Sequence, residues 1–155
     1  MNRKLSLGLF TVLVATLTAG MCLAGCDMHK GSESQLKETA DSFAVHYYNW
    51  RFGKAVLYCT PESEQWLRFA ATNVHSADID SLRAMAADAE IRLGDVEFDE
   101  NDTTATAIFH VKDFLQMDSL GQAAKVHKEA TFRIPMVIRG EEWLVKLNGL
   151  PRAEK

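Results

Sequence analysis

After residue 89 of this 155-residue chain, apolar side chains stop recurring at every third and fourth position and begin to alternate. No other feature limits the fold as much. Before that point, Leu36, Ala40, Phe43, Ala44, Tyr47 and Tyr48 form one helical stripe, with Lys37, Glu38, Asp41 and Ser42 opposite it. After it, Ile91 and Leu93 share one phase and Val96 and Phe98 the other, so Gly94-Asp95 reads as a bulge. Ala105, Ala107, Phe109 and Val111 alternate with Thr104, Thr106, Ile108 and His110. Phe132, Ile134, Met136 and Ile138 alternate with Thr131, Arg133, Pro135 and Val137, and Trp143, Val145 and Leu147 close the pattern. Helices first and alternation afterwards predict an α+β fold, with the N-terminal helices on one face of about four antiparallel strands.

Punctuation refines this. Ser32 with Gln35, or Ser34, can cap a helix beginning near residue 35, which Gly53 would end or bend. "KAVLYC" at 54–59 then makes a short second helix. Thr60-Pro61-Glu62 opens a third, because proline suits a first turn and an acid suits the positive end of the dipole. Trp66, Phe69 and Ala70 would form its apolar face. Ser76 or Asp78 can cap a fourth, with Ile79, Leu82, Met85, Ala86 and Ala89 turned inward. "ENDT" at 100–103 is a turn, 114–125 a longer connection and 139–142 a hairpin turn. Pro135 cannot donate to a ladder, so its strand is expected at an edge or with a bulge.

The N-terminus carries Arg3 and Lys4, an uncharged run from Leu5 to Leu23, and small residues at Ala24-Gly25, the layout of a secretory signal peptide. Gly8, Gly20 and three threonines make the run weakly apolar for a permanent span. Leu23-Ala24-Gly25-Cys26 resembles the bacterial lipobox. That resemblance implies cleavage between Gly25 and Cys26 and a lipid on the Cys26 thiol, so the membrane partner is reached through acyl chains. The chain divides into a signal peptide (1–25), a polar tether (26–33), one domain (34–150) and a tail (151–155). Cleavage removes 25 of 155 residues and leaves 130; losing Arg3 and Lys4 takes 17 basic residues to 15 against 21 acidic, so net charge goes from −4 to −6. An acidic domain is not built to hold nucleic acid. Cys22 leaves with the signal and Cys26 is lipidated, so Cys59 has no partner for an intramolecular disulfide. With no basic neighbour to favour the thiolate, Cys59 reads as a small buried hydrophobe.

"FAVHYYNWRFGKAVLYCTPESEQWL" (43–67) and "EEWLVKLNGL" (141–150) resemble small envelope lipoproteins of Bacteroides-type bacteria with a nuclear transport factor 2-like domain. The matching residues are Ala40, Phe43, Phe52, Ala55, Tyr58, Pro61, Trp143 and Val145. The resemblance implies a cone in which a curved sheet wraps the helices, a cell-envelope location at the inner or outer membrane, and a small ligand or an envelope protein as partner. Some members of that superfamily are isomerases or dehydratases, and many others only bind, so the fold by itself assigns no activity.

An enzyme of that kind needs an acid or base facing an apolar pocket. His46, His110 and Asp113 are the candidates. Periodicity puts His110 on a polar phase and brings no two of them together. The histidines have no metal-ligand spacing, no phosphate-cradling glycine loop occurs, and nothing implies a cofactor. Tyr47, Tyr48, Trp50, Phe52, Tyr58, Trp66 and Phe69 crowd into 23 positions. Helical spacing assigns most of them to the core, while Tyr47, Trp50, Tyr58 and Trp66 are the candidates for lining a ligand pocket with polar tips in an apolar wall.

Overall fold

The computed structural model describes residues 31–119 and 121–154. The signal segment, Cys22, Cys26 and the tether before Gly31 lie outside the described residues. The expected α+β order is present. Helices α1 (Glu33–Tyr48), α2 (Phe52–Ala55), α3 (Glu64–Thr72) and α4 (Ser76–Ala84) precede strands β1 (Glu90–Phe98), β2 (Thr104–Gln116), β3 (Lys125–Arg139) and β4 (Glu142–Val145). The strands form one antiparallel meander in the order β1-β2-β3-β4. None of the described helices is long and apolar enough to cross a membrane.

Helix α1 starts where the sequence places it: Ser32 Oγ accepts from the Gln35 N–H at 3.1 Å. Leu36, Ala40, Phe43, Ala44 and Tyr48 are buried against the sheet, with Thr39 beside them. The sheet answers with Ala105, Ala107, Phe109 and Val111 from β2, Phe132, Ile134 and Met136 from β3, and Trp143 and Val145 from β4. Polar bonds fix how α1 sits on β4. Gln35 accepts from the Trp143 N–H at 2.8 Å and donates to Thr39, while the Trp143 indole donates to Gly31 O at 2.9 Å.

The helix does not run on to Gly53. It stops at Tyr48 in a Schellman turn, in which Trp50 N–H donates to Tyr47 O and Arg51 N–H to His46 O. Glycine usually occupies the left-handed position of that turn, yet here it is Trp50, with φ of 57°. Asn49 secures the exit: its side chain donates to Val45 O and accepts from Ala89 N–H. Gly53 lies inside α2, and the expected helix at 54–59 is replaced by the end of α2 and a 3-10 turn at Val56–Tyr58.

Further expectations are corrected. On α3 the buried residues are Leu67 and Ala70, with Ser63 one turn earlier; Trp66 is half-buried and Phe69 is exposed. Helix α4 ends at Ala84 and buries only Asp78. Ile79 faces solvent, Leu82 and Met85 are half-buried, and Ala86 and Ala89 follow the helix, Ala86 exposed and Ala89 packed in the core. Asp78 tethers α4 by accepting from the N–H groups of His75 (2.8 Å) and Ala124 (2.7 Å). The connection read at 114–125 is mostly strand, because β2 runs to Gln116 and β3 begins at Lys125. Asp113 has φ of 47°, which shifts the phase so that Lys112 and Asp113 face out and Phe114 and Leu115 face in. That shift hid the strand from a period-2 reading.

Finally, β3 is an interior strand with no register shift at Pro135. Pro135 is tolerated because β4 ends there: its carbonyl still accepts from Lys146 N–H, and only the proline's missing donor interrupts the pairing. The segment read as a tail also joins β3, with Ala153 bridging Phe132 and Glu154 N–H donating to Thr131 O. The expected bulge is present between Leu93 and Val96.

Candidate functional site

The C-terminal end of α1, the far end of the β2–β3 hairpin and the segment after β4 meet at one pole of the domain. There Tyr47, Tyr48, Trp50, Phe52, Phe114 and Phe132 enclose a narrow slot of about 40 Å³ with Ala70, Leu115, Gln116, Met117, Leu150 and Pro151. The rings support one another. Tyr48 packs on Phe132 with centroids 4.6 Å apart and meets Phe114 edge-on at 6.0 Å, while Tyr47 meets Phe52 at 5.7 Å. Tilted and edge-on contacts of this kind are the favoured geometries of aromatic pairs. Trp50 is fixed from both sides: the Schellman turn sets its backbone, and its indole N–H donates to Leu115 O at 2.8 Å. A bulky residue in left-handed conformation is costly, and such strain concentrates at functional sites.

The slot adjoins a broader groove of about 850 Å³. Gln116, Met117, Leu150 and Pro151 border both. Trp66, Phe69, Pro135 and Leu147 give the groove apolar walls, and Arg133, Arg152, Asp118 and Asn148 its polar positions. The groove falls in the size range of small-molecule sites. Arg133 is already committed to Glu97 and Glu154. Asp118 faces His127 at 3.2 Å, and His127 stacks on Phe114. Arg152 is exposed and makes no ion pair among the described residues.

Burial pushes the Tyr47 phenol well above its ordinary value. Burial, with Tyr47 as neighbour, does the same for Tyr48. Both therefore remain neutral over the physiological range. The Tyr48 hydroxyl is sealed from solvent and has no hydrogen-bond partner among the described residues.

Of the four pocket candidates, Tyr47 and Trp50 line the slot. Tyr58 does not; it stacks on His46 with centroids 5.9 Å apart. Trp66 lines only the outer groove. The three candidate proton handlers lie apart from the slot. His46 stacks beside Tyr58 and keeps its Nδ1 buried, with no partner among the described residues. His110 is exposed, 3.1 Å from Thr131 Oγ1, and covers Gly94 so closely that a Cβ there would lie 3.2 Å from its ring. Asp113, which by alternation shares the phase of Phe109 and Val111 at the expected end of the strand, points out and faces Lys128 at 3.5 Å, because its left-handed backbone reverses the alternation. Cys59 is buried, as read from its neighbours; its thiol donates to Ala55 O, and burial pushes it up to about 12. No three metal-ligating side chains cluster among the described residues.

No family model and no curated protein matches the chain.

Residues 114–117, 132 and 150–151 complete the slot and were not among the sequence candidates. Phe114 and Phe132 stand on facing strands beneath Tyr48, and only the β2–β3 register brings them there. The one signal in the sequence was Tyr48 itself, which closes the α1 stripe.

Proposed function

We propose that this chain is a lipid-anchored bacterial envelope lipoprotein whose domain, of the cone-shaped nuclear transport factor 2-like kind, binds a small ligand without transforming it. The observation that carries the binding half is the aromatic slot adjoining a groove, held by a strained tryptophan. The lipid half rests on Leu23-Ala24-Gly25-Cys26 after a signal-like segment. The cone is supported by α1 lying across an antiparallel meander with the slot at one end. An isomerase or dehydratase would need an acid or base in the slot, and among the described residues the titratable groups of its lining are Tyr47 and Tyr48.

Two experiments test the halves separately. Cys26→Ser should abolish palmitate labelling in a bacterial host and leave an uncleaved precursor; persistent labelling overturns the anchor. For the site, Trp50→Gly suits the left-handed turn while removing one wall of the slot. The variant should stay folded by circular dichroism and lose the ligands that a small-molecule screen recovers on the parent. Unchanged binding places the ligand elsewhere.

A further inference from the structure

The slot and the groove differ in what they accept. The slot has room for about three water-sized groups, which suits the end of a chain and excludes a ring. Its lining is aromatic, and a water held there would find few polar partners. The groove is some twenty times larger and mixed in character. Its charges are unevenly committed: Arg133 has two carboxylate partners and Asp118 has His127, while the exposed Arg152 has no ion-pair partner among the described residues. Arg152 follows directly on Leu150 and Pro151, which border slot and groove alike.

We infer that the ligand is a single-chain amphiphile with an anionic head, its tail end in the aromatic slot and its head on Arg152 in the groove. This rests on the slot being the binding site. The tail supplies affinity by leaving water, and the head supplies orientation. Guanidinium is the suitable partner because its planar fork matches a carboxylate or sulfate.

The test uses protein lacking residues 1–25 and carrying Cys26→Ser, which retains every described residue. Decanoate, decanol and decyltrimethylammonium are titrated below their micelle-forming concentrations, with acetate as the tailless anion, following aromatic ring resonances by NMR. The expected order is decanoate first, decanol second, the cation last, and acetate without effect on the slot rings. Arg152→Gln should weaken decanoate about two- to fivefold, the range of an exposed ion pair, and leave decanol unchanged. Equal binding of anion and cation, or loss of decanol binding along with decanoate in Arg152→Gln, overturns the inference while leaving the slot as a site. Displacement of decanoate by acetate shows an anion site without a tail site and also overturns it. If no ten-carbon probe moves the slot rings, the site itself is wrong.

Discussion

The Tyr48 hydroxyl is a buried donor with no acceptor among the described residues, a condition that costs about 1–3 kcal/mol. Tyr48→Phe removes the cost and keeps the ring contacts, so it should stabilise the domain by about 1 kcal/mol. A higher urea midpoint at unchanged slope would show it, and a lower midpoint would mean that the hydroxyl is satisfied in solution. Cys59 makes a second prediction. Its folded pKa, about 12, lies above the ordinary 9.0, so the unfolded chain releases the proton first. Stability contributed by the protonated thiol is full below pH 9 and declines above it. Cys59→Ala should therefore flatten the alkaline decline in midpoint, and an unaltered slope would assign that decline to other groups such as Tyr47 and Tyr48. Cys59 was legible from its apolar neighbours alone. Asp113 was not, because nothing in a one-dimensional alternation announces a left-handed residue within a strand.

Elements show why some of the fold could be read and some could not. The α1 stripe, the β2 and β3 alternation and the bulge at Gly94 are repeated local patterns, and each holds in the structure. The helix ends were misplaced where a residue type stood in for the usual one. A tryptophan occupies the glycine position of the α1 turn, so Gly53 drew the boundary instead. Helix α4 failed for a different reason: one polar residue holds it rather than an apolar face. Asp78 satisfies two backbone donors, and Asp78→Ala leaves both without it. That change should cost about 1–3 kcal/mol and raise hydrogen exchange locally at residues 75–84 and 124, with β2 and β3 amides unaffected. Uniform loss of protection would mean that α4 belongs to the central cooperative unit.

In the whole molecule, the residue just before the α1 cap and the segment after β4 are both tied to the sheet. Gly31 is held by Trp143, and Ala153 pairs with Phe132. Trp143 is 1% exposed and joins α1 to β4, so Trp143→Ala should cost about 3–5 kcal/mol and leave the isolated domain marginal at 37 °C. Thermal unfolding that stayed near the parent would mean the gap is refilled by neighbouring side chains. The free edge of β1 is better protected than its length suggests. The bulge interrupts it, and Glu90, Arg92, Asp95 and Glu97 stud its 9 residues. The slot was the least legible feature, because its walls come from α1, α2, α3, β2, β3 and the segment after β4. Only three-dimensional closure assembles them.

The bond between Trp143 and Gly31 also sets a length scale. It fixes the start of α1 to the domain, and the slot lies at the other end of that 16-residue helix, about 24 Å away. Cys26 is five residues before Gly31, a reach of at most about 18 Å. On a lipidated chain the proposed binding site would be held within those combined lengths of its anchor. It would stay in a layer roughly 40 Å deep over the bilayer and no further. Capture would then depend on how much ligand enters that layer, and the bulk concentration would matter only through it.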